Sequence, residues 1–304
     1  MKTQVINIAS QYAITVKDLK IIFNEKTEEE LIVLDNFNYQ FKKNKIYFIV
    51  GNSGSGKTSL ISHFNGLLKS KYGDLTIGNE NILGSKRKIH HFKALRKTCG
   101  MVFQFPEYQL FKDTIEKDII FGPINLGENK NKAKLKAKKY LNVMGLDDSF
   151  LQRSPFELSG GQKRRVAIAG ILAIEPEILV FDEPTAGLDP AGEKEMLDII
   201  QQANHDGKTI IIITHVMDQV LALGDEVLVL NDKKLEAAGT PYDVFTNKAL
   251  LEKTTLDLPK VITVIEKLVQ KDQRFEELYQ IKPRNVDDLA KAIQTIITKS
   301  KYEQ

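Results

Sequence analysis

The stretch Gly51-Asn52-Ser53-Gly54-Ser55-Gly56-Lys57-Thr58 restricts the fold of this chain more than any other segment. An unbroken apolar run, Ile46–Val50, leads into it, and a helical pattern reaching about Leu68 follows. A short run that is apolar throughout reads as a strand buried on both faces, as in a parallel sheet. Strand, glycine-rich loop and helix in that order make a phosphate-binding arrangement. The glycines let backbone wrap an anion with no Cβ in the way. The loop N–H groups and the helix start then face the phosphates. Lys57 is a compact charge suited to β- and γ-phosphates, and the Thr58 hydroxyl is a ligand type for Mg²⁺. The loop by itself indicates a nucleoside triphosphate and leaves kinase, GTPase and ATPase open.

Around this loop the chain alternates strands and helices. Ile14–Phe23 is a strand candidate, and Phe37, Tyr39 and Phe41 recur at period two, as in an antiparallel, half-buried layer. Met101–Gln104 reads as a short strand ending in Gln104, and Thr114–Phe150 as mostly helical. The apolar run Ile178–Phe181 brings Asp182 and Glu183 to the carboxyl end of a buried strand, the edge where open α/β sheets hold ligands. Asp182 suits an outer role on Mg²⁺, and Glu183 can polarise an attacking water. A helix near Gly192–Asn204, a strand Thr209–Thr214 and His215 come next. Such a histidine either hydrogen-bonds a γ-phosphate and the water or simply closes the strand end. Gln104 has the same two readings, toward Mg²⁺ and water or as an ordinary strand end. Val227–Leu230 and Lys233–Ala238 predict a hairpin turning on Asn231–Asp232. Strand, helix, strand in this order is a parallel α/β sheet.

From Pro241 onward helical periodicity takes over. Val261, Val264, Ile265 and Leu268 share one predicted stripe, as do Leu289, Ala292, Ile293 and Ile296, with a break at Lys282–Asn285. There is no internal repeat, so one nucleotide site of the loop type is encoded.

Leu158-Ser159-Gly160-Gly161-Gln162 supplies a second helix start suited to an anion. Ser159 is a good N-cap, the glycines expose backbone N–H groups, and the helix runs towards Ile174. Two such starts lie far apart in one chain. A head-to-tail dimer explains this economically: one start holds ATP, and the other closes over the partner's ATP.

Composition limits the setting. The 304 residues suggest about two domains, and 43 Lys+Arg against 40 Asp+Glu give +3, too little for charge-driven nucleic-acid binding. The single cysteine, Cys99, cannot close an intrachain disulfide, which fits a reducing compartment. No run approaches the ~18–20 apolar residues of a membrane helix, and residues 1–10 lack a signal-peptide core. A membrane role would run through a partner.

Six segments in order resemble the ATP-binding cassette (ABC) ATPases: phosphate loop Gly51–Thr58, glutamine loop at Gln104, signature Leu158–Gln162, acidic strand Ile178–Glu183, Ala186–Asp189, and switch histidine His215. The resemblance implies an α/β P-loop NTPase cassette with an antiparallel β subdomain and a helical subdomain. It implies that Gly51 through Lys57, Thr58 and Ser59 hold ATP, and that Thr58, Gln104 and Asp182 serve Mg²⁺. Glu183, Gln104 and His215 would act in hydrolysis. Ser159 and Gly161 would act in trans on a partner's γ-phosphate, and Asp189 would cross the dimer interface. An aromatic residue of the first strands usually stacks on adenine, and Phe23 is the candidate.

A narrower resemblance joins Val102–Phe111, Glu116–Gly122, Ser154-Pro155-Phe156-Glu157, Arg164–Gly170 and the helical C-terminal extension. These are similar to the ATPase subunits of energy-coupling factor (ECF) transporters, and more to the second of the two paralogues. It implies an importer for vitamins or metal ions with a paralogous ATPase as heterodimer partner. A membrane coupling subunit would dock near Phe105, Tyr108, Leu110 and Phe111, and a separate membrane component would bind substrate. Residues 1–240 would form the nucleotide-binding domain, with its helical part at about 105–175. Residues 241–304 would be an extension adding to the dimer contact. The expected place is the cytoplasmic face of the cell membrane, with no nucleic acid bound. A conventional ABC transporter ATPase, or a non-transport ABC protein, is the alternative.

Overall fold

The computed structural model describes residues 11–69, 71–78, 80–83 and 92–302. In chain order the strands are β1 (Tyr12–Phe23), β2 (Leu31–Lys42), β3 (Ile46–Gly51), β4 (Tyr72–Ile77), β5 (Glu80–Leu83), β6 (Cys99–Val102), β7 (Ile178–Asp182), β8 (Thr209–Ile213), β9 (Glu226–Asn231) and β10 (Lys234–Gly239). The helices through the middle of the chain are α1 (Lys57–Phe64), α2 (Phe92–Thr98), α3 (Ile115–Ile119), α4 (Phe121–Asn125), α5 (Lys130–Val143), α6 (Gly160–Leu172), α7 (Pro190–His205) and α8 (Met217–Leu223). Then come α9 (Pro241–Phe245), α10 (Lys248–Thr254), α11 (Lys260–Lys271), α12 (Leu278–Ile281) and α13 (Val286–Tyr302). Two compact units form, one from the described residues up to Lys45 with Gly56–Ile213, the other from Ile46–Ser55 with the described residues from Thr214 on.

In the first unit β2-β1-β4-β5 make an antiparallel sheet. Ile14 stands between Phe41 and Ile77, and Leu19 opposite Phe37, so the period-two side chains fill one buried face. The same unit holds a parallel ladder, with Val180 of β7 flanked by Met101 of β6 and Ile211 of β8. Every residue of β7 and β8 is buried, as expected of strands covered on both faces. Helix α6 packs on α3, α5 and the short turn Pro106–Gln109.

Two sequence expectations shift here. Helix α1 stops at Phe64 rather than Leu68, because Asn65 turns away to donate to the Cys99 carbonyl at 3.0 Å and Gly66 takes a left-handed φ of 70°. Strand β6 ends at Val102, paired with Phe181, so Gln104 sits in a bend and not at a strand end. The chain leaves the ladder because Phe105 takes φ 58° and Pro106 has no N–H to offer it.

In the second unit β3 runs parallel to β9, Val50 beside Val229, and β9 turns back antiparallel into β10. The turn is Asp232–Lys233, both at positive φ, one residue later than expected from the sequence. Thr240 opens α9 with a reciprocal capping box, and helices fill the rest of the described chain. Arg284 donates to the Gly224 carbonyl at 2.7 Å, and the Tyr242 hydroxyl to the Pro283 carbonyl at 2.7 Å. Helix α11 buries Val261, Ile262 and Ile265, while Val264 is 41% exposed. Val264 lies about 100° around the helix from Ile265, at the margin of the stripe, and Ile262 fills the face instead. Among the described residues no helix is long and apolar enough to cross a membrane.

Candidate functional site

The phosphate loop starts in the second unit. Gly51, at φ 141°, is obligatory, since a Cβ there would stand 2.0 Å from the Leu230 carbonyl oxygen. Ser55 donates its backbone N–H to the Asn52 carbonyl at 3.2 Å, curling the loop, while the buried Ser55 hydroxyl has no hydrogen-bond partner among the described residues. Asn52, Ser53 and Gly54 are exposed, and the Asn52 side-chain oxygen accepts from the Thr255 hydroxyl at 3.4 Å. His215 is exposed just after Thr214, whose hydroxyl accepts from the Val216 N–H at 3.1 Å.

The loop finishes in the first unit. Gly56 caps α1 at φ 97° with no side-chain hydrogen bond, so no cap side chain occupies the first N–H groups of that helix. Thr58 and Ser59 continue into α1, and the Thr58 hydroxyl donates to Asp182 Oδ2 at 3.2 Å. Burial pushes the Lys57 ammonium below its ordinary pKa, against the pull of Glu183 and Asp182. Burial likewise raises the Asp182 carboxyl, opposed by the Thr58 hydrogen bond and by Lys57 and reinforced by Glu183. Both groups are therefore held partly out of water. Glu183 takes φ 51°, a left-handed backbone rare for a side chain of its size, and its N–H donates to the Ile213 carbonyl at 2.9 Å. The structure thus brings Lys57, Thr58, Asp182 and Glu183 together.

A hydroxyl and a carboxylate are hard oxygen donors of the kind Mg²⁺ takes. Among the described residues no cluster of three or more His, Cys, Asp or Glu is arranged to hold a metal. The donor set fits a cation bound by one or two protein oxygens plus phosphates and water.

The second helix start is built differently. The Ser159 hydroxyl accepts from the Gln162 N–H at 3.4 Å, and Gln162 Oε1 accepts from the Ser159 N–H at 3.1 Å, a closed capping box. A Cβ on Gly160 or Gly161 would meet nothing within 4 Å. Asp189 caps α7, accepting from the Gly192 N–H at 2.8 Å. Ser159 and Asp189 thus spend these hydrogen bonds on their own helix starts. Gln104 is exposed in its bend, and Phe23, 36% exposed at the end of β1, borders a cleft with Lys20, Glu25, His63 and Tyr72.

In the sequence Arg164 stands only within the Arg164–Gly170 resemblance, with no role of its own. It lies on α6 four and eight residues before the buried Ile168 and Leu172, and is itself only 5% exposed. A charged residue on an apolar stripe was the legible signal.

The family model for ABC transporters matches residues 34–186. The energy-coupling factor transporter ATP-binding protein EcfA2 of Mycoplasma pneumoniae is 57% identical, over 93% of this chain and 94% of that protein. This chain belongs to the energy-coupling factor transporter ATP-binding proteins. EcfA2 of Mycoplasma genitalium is 55% identical over 93% of each chain, so the resemblance to the second paralogue stands. Among solved structures, cbiO1 from Clostridium perfringens, part of the ABC transporter complex cbiONQ, superposes with TM-score 0.68 at 32% identity, covering 89% of this chain and all of that one. A dimeric ATP-binding cassette in a post-hydrolysis state with ADP and Pi superposes with TM-score 0.66 at 27% identity, over 75% of this chain and 98% of that one. The fold is an ABC ATPase cassette, ATP is the substrate, and as an ECF ATP-binding protein the chain hydrolyses ATP in the service of transport.

Proposed function

We propose that this chain powers an ECF importer by closing over ATP with a second, paralogous ATPase and pulling on a membrane coupling subunit. The observation that carries the reading is the Thr58–Asp182 hydrogen bond at 3.2 Å, beside the strained Glu183 and the uncapped start of α1. The N–H groups of Gly54, Ser55, Gly56 and Lys57 bind the phosphates, and the Lys57 ammonium neutralises the β- and γ-oxygens. Thr58, Asp182 and Gln104 would hold Mg²⁺. The metal, when bound, supplies charge neutralisation on the phosphate oxygens. Glu183 orients a water in line with the γ-phosphorus and draws its proton, and His215 holds the γ-phosphate. Phe23 packs on the adenine.

Ser159 and Gly161 complete the partner's site. The space in front of Gly160 and Gly161 supports this, because nothing among the described residues requires glycine there. Asp189 crosses the interface beside its own helix cap, and the helices of 241–304 widen the contact around the 1–240 nucleotide-binding domain. The chain sits peripherally on the cytoplasmic face of the membrane, and the transported class is a vitamin or a metal ion. Phe105, Tyr108 and Phe111, 40%, 85% and 55% exposed, would receive the coupling subunit, whereas Leu110 is core.

The test has two arms. Glu183→Gln should cut phosphate release about 10²–10⁴-fold while retaining bound ATP; unchanged turnover overturns the hydrolytic assignment. Extraction from membranes in mild detergent should bring one integral-membrane subunit and a second ATPase, and recovery of this chain alone overturns the assembly.

A further inference from the structure

Two strained residues flank one buried guanidinium. Glu183, at φ 51°, ends the acidic strand, and Phe105, at φ 58°, opens the turn that carries the exposed aromatic patch. Side chains of this size adopt left-handed backbone only where their surroundings hold them there. The path between the two is continuous. The Ala186 N–H donates to the Glu183 carbonyl at 3.1 Å, closing the turn after β7. The Ala186 carbonyl in turn accepts from Arg164 Nη1 at 2.9 Å. Arg164 Nε stands 3.4 Å from Glu107 Oε2, and the guanidinium lies 5.7 Å from the centre of the Phe105 ring. Glu107 sits in the Pro106–Gln109 turn, directly beside Tyr108.

The pair is incomplete. Arg164 Nε and Nη2 and Glu107 Oε2 are buried, yet none of them makes a hydrogen bond of good geometry among the described residues. A buried charge pair built only for stability would have its donors and acceptors satisfied, since each orphan is costly. An ion pair in contact but out of alignment suits an element with two positions, in which a small displacement of the turn lets the guanidinium fork close on the carboxylate.

We propose that Arg164, through Glu107, is the positioning residue that carries the state of the Glu183 turn to the Phe105–Phe111 surface. When ATP occupies the site, the turn after β7 shifts the Ala186 carbonyl, Arg164 follows, and Glu107 resets the turn bearing Tyr108. The inference rests on the nucleotide-site reading above and adds to it the residue that links site to surface.

The experiment reads the surface directly. Cys99 is the chain's one cysteine and is buried, so Tyr108→Cys gives a unique labelling position at an exposed side chain. A spin label there, on the full chain, is followed with Mg²⁺ and ATP, and ATP affinity is measured in parallel with a fluorescent nucleotide. In the otherwise unaltered chain ATP should change the label's spectrum. With Arg164→Lys or Glu107→Gln the change should fall at least fivefold while ATP affinity stays within twofold. The double variant should be no worse than either single one. Glu107→Gln keeps shape and volume, so it carries the test if the arginine variant folds poorly. An undiminished label response in Glu107→Gln overturns the proposal. So does a response lost only in proportion to ATP affinity, and so does a parent label blind to ATP. In that last case retention of ATP by Glu183→Gln would leave the nucleotide-site reading standing.

Discussion

The starts of α1 and α6 are both glycine-rich, both follow a residue outside the helical φ/ψ region, and both read as anion sites in the sequence. Their construction is opposite. At α1 the chain itself demands the glycines: Cβ atoms at Gly51 and Gly56 would stand 2.0 and 2.8 Å from backbone oxygens, and no side chain caps the helix. At α6 Ser159 and Gln162 satisfy each other, and Gly160 and Gly161 face open space. At the first start the fold accounts for the glycines. The second is a self-capped helix end whose glycines the described residues around it do not require. Glycine that a fold requires and glycine that it does not require look alike in a sequence and separate only when the space around them is measured.

Substitutions can break that distinction, and the largest effect is expected at Lys57. Lys57→Ala should lower ATP turnover by about a hundredfold or more, by loss of the charge on the β- and γ-phosphates. Because burial already disfavours that ammonium, thermal unfolding of the nucleotide-free variant should be no earlier than in the parent. A large fall in melting temperature would mean that Lys57 supports the fold. Next, Gly56→Ala should cost about 1–3 kcal/mol in urea unfolding through its left-handed φ, whereas Gly161→Ala should lie within about 0.5 kcal/mol of the parent and yet reduce turnover of the paired ATPases. Equal destabilisation by the two would erase the contrast. Smaller still, Ser159→Ala should lose about 1 kcal/mol as an N-cap, and Ser55→Ala less, its hydroxyl having no partner to lose.

The smallest effect concerns pH. Asp182 has a folded pKa raised above the ordinary 3.8, so its contribution to stability is present below that value and is lost as pH rises through the raised pKa. Asp182→Asn should remove this downward slope from the urea midpoints measured across the acid range. A parent profile with no slope to remove would mean that Asp182 is better solvated than its burial implies.

Much of this was legible because apolar runs and glycine spacing act locally. Ile46–Val50, Ile178–Phe181 and Thr209–Ile213 are strands whose burial on both faces leaves them apolar but for Thr209 and the Tyr47 hydroxyl. Ser159 as a cap followed from hydrogen-bond chemistry within four residues. What escaped depended on neighbours distant in sequence. Gln104 leaves its strand because Phe105 turns the chain at φ 58° and Pro106 has no N–H to continue the ladder. Helix α1 ends early because Asn65 finds the Cys99 carbonyl, thirty-four residues on. Val264 and Ile262 exchange places because the α11 stripe is aimed by tertiary packing, which periodicity alone does not orient. Arg164 has no legible role of its own until Ala186 and Glu107 are seen beside it.

The sole thiol of the chain has a final consequence. Cys99 is fully enclosed in β6, and burial pushes its pKa up to about 12. At physiological pH it is held as a neutral, unreactive group, so peroxide and disulfide exchange find no nucleophile to attack. Oxidative stress that silences enzymes through exposed thiolates would find no such route in this polypeptide's cysteine.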